Sequence, residues 1–367
     1  MKNGKLKVAI LIDTWFPVIG GGQTHVHYLA KYLKKYCDVE ILTSNQKGLI
    51  PKEFYPAYKI KKLGPAVSTN HPFRRIMFLI FSFLYLLSHD HDLIHAQAFI
   101  SGFPAKLASL VKHKPVIYTV HGTGLVNSLI YKGIGGIGKK YLEKILLLKM
   151  KYDAQISVSR DFLRLQNNNK VIYIPNGKTQ LKTIKFKKIP NTVLYIGRIH
   201  PQKGINILLK AVVDAQITVQ DLNLTIVGSG ELNNLKNTLN KLELNKYVKI
   251  RNPIYGKELL KIIKQHSIFV LPSFYEGQPI TLLEAMEAKT PIVASNVGDI
   301  PFLLKNNNSG LLIKPNDWKG ISNAIIKLLT SKKLSQKLTK NAYHIYLKHD
   351  NWQNVAYKTY QLYSNLR

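Results

Sequence analysis

Cysteine is nearly absent from this sequence, in which Cys37 is the single example among 367 residues. A lone cysteine cannot form an internal disulfide, so nothing in the composition favours an oxidising compartment. The first residues predict a β-strand rather than a signal peptide. We therefore expect a cytoplasmic protein.

Acidic residues are also scarce, because 20 Asp and Glu stand against 53 Lys and Arg and give a formal net charge of +33. Proteins that bind nucleic acid concentrate arginine and aromatic residues in a stripe, whereas lysine carries nearly all of the excess here. Scattered lysine without a binding role is one explanation, and attraction to an anionic membrane surface is a second. We keep the membrane surface as a candidate partner and do not expect nucleic acid to be one.

The apolar run from Ile76 to Leu87 has twelve residues, whereas a membrane-spanning helix needs about 20. We expect a helix that is buried against a sheet. Because Arg74 and Arg75 precede the run, a helix that dips into a membrane surface is the alternative, and it would make the protein peripheral on the cytoplasmic face of a membrane.

Short apolar runs alternate with helical stretches along the chain. This alternation predicts parallel sheets with helices on both faces. The predicted strands of the first half are 6–12, 39–43, 93–96, 116–120, 154–158 and 171–174, and those of the second half are 193–196, 224–227, 248–250, 268–271 and 292–294.

A break in this pattern predicts two doubly wound, Rossmann-like α/β domains, and the chain length agrees with two. The first covers 1–177 and the second 192–349, with a lysine-rich linker over 178–191. Residues 350–367 predict a helix that packs back on the first domain. Ligands of such sheets bind beyond the carboxyl ends of the strands, so two sheets that face each other would form the site in an interdomain cleft.

Two glutamates follow the predicted strand 268–271. Gly277 and Pro279 place Glu276 in a loop before a new helix. Glu284 lies about one turn further on among apolar residues, where an unpaired carboxylate is costly. A ligand rich in hydroxyl groups offsets that cost, whereas an ordinary loop acid and a solvated helix face are the alternatives.

The segment EGQPITLLEAM, residues 276–286, carries these two glutamates separated by seven residues. It resembles the signature of glycosyltransferase family 4, whose members are retaining enzymes of the GT-B fold. Residues 195–204 are similar to the strand, Gly-Arg turn and Lys-Gly helix start of that family, and residues 226–231 resemble its next strand-to-helix turn. The resemblance extends over essentially the whole chain.

The resemblance implies that the second domain binds the nucleotide sugar. Arg198 and Lys203 would bracket the diphosphate, helped by backbone amides where the next helix begins. Glu276 would bind hydroxyl groups of the donor sugar, and Glu284 those of the ribose. An ordinary surface arginine and lysine are the alternative for the two cations.

In the first domain, Gly20, Gly21 and Gly22 follow the first strand and precede a helix that we expect near Gln23. Glycine lets the backbone approach a phosphate or a sugar closely. The resemblance implies that Gly21 and Gly22 approach the donor phosphate and the acceptor, and that His121 contacts the donor sugar. A plain flexible turn and a structural histidine are the alternatives.

The sequence departs from the family at two positions. Thr179 stands where the family commonly has an acidic residue, and Gln278 replaces a frequent aromatic residue. Asp90, His91 and Asp92 match an Asp-x-Asp metal site only superficially, because they precede the strand 93–96 and so lie at its amino edge. We predict no metal and no cofactor besides the nucleotide-sugar substrate.

The resemblance implies a retaining enzyme, and the sequence as a whole predicts a metal-independent hexosyltransferase. The expected donor is a UDP-sugar, with GDP- and ADP-sugars behind it, and the expected acceptor is a glycan or a lipid-linked molecule. A nucleotide-sugar epimerase or phosphorylase with two facing Rossmann-like halves is the alternative within the fold. A basic nucleic-acid-binding protein is the alternative from another class.

Overall fold

The structure is a computed structural model that describes residues 4–18, 20–69, 71–98, 100–126, 133–165, 170–179 and 186–366. It divides into two compact units. Unit 1 consists of residues 1–177 and 350–367, and unit 2 consists of residues 178–349. The predicted linker 178–191 lies partly outside the described residues.

Unit 1 is built on a sheet of seven parallel strands. In chain order they are β1 (Leu6–Ile12), β2 (Cys37–Gln46), β3 (Lys59–Val67), β4 (Leu93–Gln97), β5 (Val116–Val120), β6 (Ala154–Ser157) and β7 (Val171–Tyr173). Their order across the sheet is β3-β2-β1-β4-β5-β6-β7. Every residue of β4 and β5 is buried, as expected of strands that helices cover on both faces.

Five described helices belong to unit 1: α1 (Gly21–Leu33), α2 (Arg74–Ser88), α3 (Gly102–Lys112), α4 (Gly133–Lys144) and α12 (Trp352–Ser364). The last of these, α12, begins at a cap in which Asn351 Oδ1 accepts a hydrogen bond from the Asn354 amide. The buried Trp352 ring stacks on the Tyr28 ring of α1 at 5.2 Å between centroids. The end of the chain therefore completes the hydrophobic core of the unit in which the chain begins.

Helix α2 buries only one stripe of its surface. Phe78, Ser82 and Leu86 are buried at a spacing of four residues, and the Ser82 hydroxyl donates to the Phe78 carbonyl at 2.5 Å. The opposite face exposes large apolar residues, namely Phe73, Ile76, Ile80, Phe81 and Leu84. Helix α2 therefore packs against β2 and β3, as expected of a helix buried against a sheet, but its opposite face is exposed. Among the described residues, no helix is both long and apolar enough to cross a membrane.

Unit 2 is built on a sheet of six parallel strands. In chain order they are β8 (Thr192–Ile196), β9 (Asn223–Val227), β10 (Val248–Arg251), β11 (Ile268–Leu271), β12 (Ile292–Ser295) and β13 (Leu311–Ile313). Their order across the sheet is β10-β9-β8-β11-β12-β13. Strands β8 and β11 are therefore neighbours in the sheet, although their last residues, 196 and 271, are 75 positions apart in the sequence. This crossover places the loops that follow the two strands side by side.

Helices on both faces of this sheet enclose two hydrophobic cores. The described helices of unit 2 are α5 (Ile205–Thr218), α6 (Leu232–Lys241), α7 (Gly256–Gln265), α8 (Ile280–Glu287), α9 (Ile300–Leu303), α10 (Trp318–Thr330) and α11 (Lys332–Lys348). Val193 and Tyr195 of β8 pack into the core that contains Leu208 of α5. Leu194 packs into the other core, with Leu283 of α8. Successive side chains of a strand point to opposite faces, which is why β8 contributes to both cores.

Two strands were not predicted, and both lie at a sheet edge. Strand β3 carries several exposed lysines, and β13 has only three residues. An edge strand is partly exposed and needs no continuous apolar run, so the hydrophobic pattern missed these two, although it did mark the edge strands β7 and β10. Helix α1 begins at Gly21, two residues before Gln23, and Gly20 before it is extended, with φ of −165°.

Candidate functional site

The predicted residues of unit 2 follow the carboxyl ends of strands. Arg198 comes two residues after β8, and Lys203 ends the short helical turn 201–203 that precedes α5. Glu276 lies in the loop between β11 and α8. Strands β8 and β11 are adjacent and parallel. The loops that follow them therefore emerge side by side at the carboxyl ends of the strands, as the alternating pattern led us to expect.

Lys203 and Glu276 form a direct ion pair. The Lys203 Nζ atom lies 2.7 Å from Glu276 Oε1. The Ser273 hydroxyl donates to the same oxygen at 2.7 Å. Both the lysine and the glutamate side chains are largely withdrawn from solvent. The sequence predicted that these two residues lie near each other, but it did not predict that they bind each other.

Backbone contacts hold the two loops against each other. The Phe274 amide donates to the Gln202 carbonyl at 2.9 Å. Gly204 has φ of +67°, and a Cβ atom there would lie 2.0 Å from the Pro272 carbonyl oxygen. Only glycine adopts this conformation at so short a distance from another backbone segment. The loops that carry Lys203 and Glu276 are thus fixed by main-chain packing as well as by their ion pair.

A second glycine supports Glu276 from the loop that follows β12. Gly298 has φ of +55°, and a Cβ atom there would lie 1.8 Å from the Glu276 carbonyl oxygen. The next residue, Asp299, donates its amide to the Gly277 carbonyl at 2.9 Å. Its carboxylate accepts from Gln278 Nε2 at 2.8 Å. Gln278, which departs from the family pattern, thus ties the glutamate loop to the start of α9.

Arg198 has an exposed side chain and an anchored backbone. The buried Tyr195 hydroxyl donates to the Arg198 carbonyl at 2.8 Å. Burial holds the pKa of Tyr195 well above its usual value; the negative charge of Glu276 adds to this shift, and Arg198 opposes it. The guanidinium group therefore faces solvent from a fixed turn, close enough to Tyr195 to act on its ionisation.

Glu284 lies within α8, partly buried among apolar neighbours. Burial raises the pKa of its carboxyl group to about 8, and the nearby Glu287 adds to the shift. This carboxyl group therefore keeps its proton at neutral pH. Thr179, the other departure from the family pattern, donates to Glu287 Oε2 at 3.3 Å.

The remaining predicted residues belong to unit 1. A Cβ atom on Gly22 would lie 4.0 Å from His121 Cδ2, so the start of α1 and the end of β5 meet. A Cβ atom on Gly21 would have nothing within 4 Å among the described residues. Gly21, Gly22 and His121 form one group, and Arg198, Lys203, Glu276 and Glu284 belong to the other unit.

Sequence reasoning missed the polar residues that surround His121. His25 of α1 lies beside it, with ring centroids 4.7 Å apart, and Gln97 of β4 binds its Nε2 atom at 2.7 Å. His25 Nδ1 in turn binds Asn176 Oδ1 at 2.7 Å. The available signal was weak: Gln97 ends a strand next to β5, and His25 comes one helical turn after the glycines.

All three residues from Asp90 to Asp92 contact other parts of unit 1. Asp92 accepts a hydrogen bond from the Lys7 amide at 2.8 Å, and Asp90 pairs with Lys114 at 3.4 Å. His91 binds Glu40 at 3.1 Å. Within the described ranges, no three His, Cys, Asp or Glu residues are grouped so that they could hold a metal ion.

Comparison with known proteins gives matches over nearly the whole chain. The family model described as Glycosyltransferase Family 4 matches residues 19–177, and the model described as Glycosyl transferases group 1 matches residues 178–345. An uncharacterized glycosyltransferase of Methanocaldococcus jannaschii is 28% identical over 97% of this chain and 98% of its own. The UDP-Gal:alpha-D-GlcNAc-diphosphoundecaprenol alpha-1,3-galactosyltransferase of Escherichia coli is 27% identical over 72% of each chain.

A solved structure shares the whole fold. Sucrose-phosphate synthase of Thermosynechococcus elongatus superposes with a TM-score of 0.82 over 99% of both chains, at 23% sequence identity. At this identity the likeness concerns the fold, that is, the pair of parallel α/β sheets and their order along the chain.

Proposed function

The chain belongs to glycosyltransferase family 4, and from this premise we propose that it is a retaining enzyme that transfers a sugar from a UDP-sugar to a lipid-linked or glycan acceptor. It has the GT-B fold, and it is a glycosyltransferase of the hexosyltransferase type. The observation that carries the proposal is the cluster of Lys203, Glu276 and Ser273 where the loops after β8 and β11 meet.

The proposed roles in unit 2 follow from charge and position. Arg198 presents a guanidinium group to solvent, and Lys203 is held by Glu276, so a diphosphate gains two cations at the start of α5. Glu276 then accepts hydrogen bonds from donor-sugar hydroxyls, and Glu284 from the ribose. Cations fixed before the reaction stabilise the charge that grows on the leaving diphosphate. No metal ion has a part in this proposal.

The proposed roles in unit 1 concern the donor sugar and the acceptor. Burial keeps the pKa of His121 well below its usual value, with His25 and His95 adding to the shift, so its ring is neutral at neutral pH. A neutral imidazole binds a sugar hydroxyl without attracting the diphosphate. The Gly21-Gly22 backbone leaves space beside this ring.

The choice of a UDP-sugar and of a lipid-linked acceptor rests on one relative. The name of the Escherichia coli protein specifies UDP-Gal and an acceptor linked to diphosphoundecaprenol. That protein aligns with 72% of this chain. We extend both features to this chain as part of the proposal.

A transfer assay tests the donor and the stereochemistry together. Labelled UDP-glucose, UDP-galactose and UDP-N-acetylglucosamine, with GDP-mannose for comparison, are incubated with the enzyme and with lipid or glycan extracts. We expect label to pass from a UDP-sugar to an acceptor with the α configuration kept, at a rate that EDTA leaves unchanged. A β-linked product would contradict the retaining mechanism, and loss of transfer with EDTA would contradict metal independence.

We also propose that the protein associates peripherally with an anionic membrane surface, where a lipid-linked acceptor would reside. The exposed apolar face of α2 lies next to α3, which exposes three further apolar side chains: Leu107, Leu110 and Val111. Arg75 at the start of α2 has an exposed side chain. Exposed apolar side chains on two packed helices, with Arg75 at the start of one of them and a net charge of +33 on the chain, complement an anionic bilayer.

Vesicle flotation tests the membrane proposal. We expect the protein to float with phosphatidylglycerol vesicles and not with phosphatidylcholine vesicles. Because both sites are exposed, the double variant Ile80→Asp, Leu110→Asp should fold normally and bind at least roughly tenfold more weakly, since each buried apolar side chain contributes about 1.5–3 kcal/mol. Ile217→Asp, equally apolar and exposed on α5, is the control and should float like the wild type. Unchanged flotation of the double variant would overturn this proposal.

A further inference from the structure

A buried hydrogen-bonded chain connects His121 to the last helix of the protein. His121 Nε2 lies 2.7 Å from Gln97 Oε1, and Gln97 Nε2 lies 3.1 Å from His95 Nε2. His95 Nε2 also lies 2.7 Å from the Thr119 hydroxyl, and its Nδ1 lies 2.5 Å from the Tyr363 hydroxyl. His95, Gln97 and Thr119 have no solvent exposure at all.

The amide of Gln97 gives this chain a direction. An amide oxygen only accepts hydrogen bonds, so the proton of the neutral His121 ring must be on Nε2. An amide nitrogen only donates, so His95 Nε2 must carry a lone pair and His95 Nδ1 a proton that it donates to Tyr363. Among the described residues, Gln97 contacts both rings and so specifies the protonated nitrogen of each.

The surroundings make the neutral form the stable one. Burial lowers the pKa of His95 to about 3 and that of His25 to about 4. His25 lies edge-on to His121, and its own Nδ1 proton goes to Asn176 Oδ1. The titratable groups that act on His121 are His25 of α1 and His95 of β4, and Tyr363 of α12 binds His95; none of the three carries a charge at neutral pH.

We propose that Gln97 is a positioning residue for sugar transfer, which fixes His121 in the Nε2-protonated tautomer and so presents Nδ1 as a neutral hydrogen-bond acceptor to a donor-sugar hydroxyl. This inference rests on the proposed function, in which His121 contacts the donor sugar. The inference gives Gln97 a role in setting the protonated nitrogen of His121, which a purely structural contact between Gln97 and His95 would not require. A buried side-chain amide without hydrogen-bond partners would destabilise the folded state, whereas here both the amide oxygen and the amide nitrogen of Gln97 have a partner.

Nitrogen-15 NMR of histidine-labelled protein tests the tautomer directly, without any donor or acceptor. The His121 signals are assigned with His121→Asn. We expect Nε2 protonation in the wild type and a mixture of the two neutral tautomers in Gln97→Leu, which has a similar volume but no polar atoms. Gln155→Leu is the control, because Gln155 is equally buried on β6 and donates to the Leu147 carbonyl instead of to a histidine. Nδ1 protonation of His121 in the wild type would overturn the inference.

Transfer kinetics test the consequence. We expect Gln97→Leu to lower kcat by roughly tenfold, the equivalent of one net hydrogen bond, with a smaller change in KM. Gln97→Glu keeps the size of the side chain but places a negative charge beside His121 and so favours the imidazolium form. Its activity should therefore rise with pH where the wild type and Gln155→Leu are flat. A flat profile for Gln97→Glu, with unchanged kcat for Gln97→Leu, would overturn the inference.

The two proposals fail in different ways. If His121→Asn transfers sugar as fast as the wild type, the proposed role of His121 is wrong, whatever its tautomer. If His121→Asn is inactive but the Gln97 variants keep both the tautomer and the rate, then only the positioning role of Gln97 is wrong.

Discussion

Glu284 shows how a single side chain, held among apolar neighbours, links function to stability. Its carboxyl group keeps its proton up to about pH 8 in the folded protein, whereas the ordinary value is 4.5. The folded state therefore binds one proton more than the unfolded state between these values. The stabilisation from this proton is complete below about pH 4.5 and is lost as the pH rises towards 8.

Replacing this residue should remove that pH dependence. Glu284→Gln imitates the protonated carboxyl group, so its stability relative to the wild type should grow by about 1 kcal/mol per pH unit between pH 4.5 and 8. Urea unfolding at a series of pH values measures this difference. Glu258→Gln, which replaces an exposed glutamate in unit 2, is measured beside it as the control. A stability difference for Glu284→Gln that stays constant with pH would contradict a protonated Glu284 in the folded state.

The sequence predicted where the site residues lie in the fold better than it predicted which side chains they contact. The strand pattern placed Arg198, Lys203 and Glu276 after strand ends, because parallel strands end at one edge of a sheet. It could not predict the polar surroundings of His121. His95 meets Tyr363 across 268 residues of sequence, and no local pattern encodes such a contact.

At the scale of elements, backbone proximity decides which loops can carry the site. Gly298 approaches the Glu276 carbonyl so closely that no side chain fits between them. The loop after β12 therefore sets the position of the loop after β11. This dependence was not visible in the sequence, where Gly298 follows the strand as an ordinary turn residue.

Gly298→Ala should displace the Glu276 loop. Its Cβ would lie 1.8 Å from the Glu276 carbonyl oxygen at a φ of +55°, so we expect donor affinity to fall at least roughly tenfold and the free energy of unfolding to fall by about 1–3 kcal/mol. Calorimetric titration with UDP and urea unfolding measure the two effects.

Gly138→Ala is the matched control for that variant. Gly138 lies within α4, and its Cβ would meet no described atom within 4 Å. Alanine is the better helix former, so stability should stay constant or rise by up to about 1 kcal/mol. If Gly298→Ala bound UDP as well as Gly138→Ala does, the loop contact would not support the donor site.

The bounds of several central strands were predictable, whereas two of the four edge strands in the described sheets were missed. The central strands β1, β5 and β11 have the predicted bounds, because burial on both faces imposes a continuous apolar run. The edge strands β3 and β13 lack such a run. Helix α2 differs in the opposite way: its sequence is apolar on nearly every side, but only one face of the helix is buried.

At the scale of the whole molecule, the family and the fold were predictable from a few motifs, and the family matches confirm both. The alternation of strands and helices predicted two α/β halves without any resemblance. The donor, the acceptor and the stereochemistry depend on the side chains of the site, and these side chains differ among proteins that share one fold. These three features therefore stay predictions.

The central claim is that unit 2 binds a nucleotide sugar through Arg198 and Lys203. Thermal unfolding with and without UDP and UDP-sugars tests it most directly, because a ligand at a hundredfold excess over its Kd stabilises the folded state by about 2.7 kcal/mol. Lys236→Ala, which removes one exposed positive charge from α6, is the control. We predict a rise in Tm for the wild type and Lys236→Ala and little or none for Arg198→Ala; no rise in the wild type, or an equal rise in Arg198→Ala, would contradict the account.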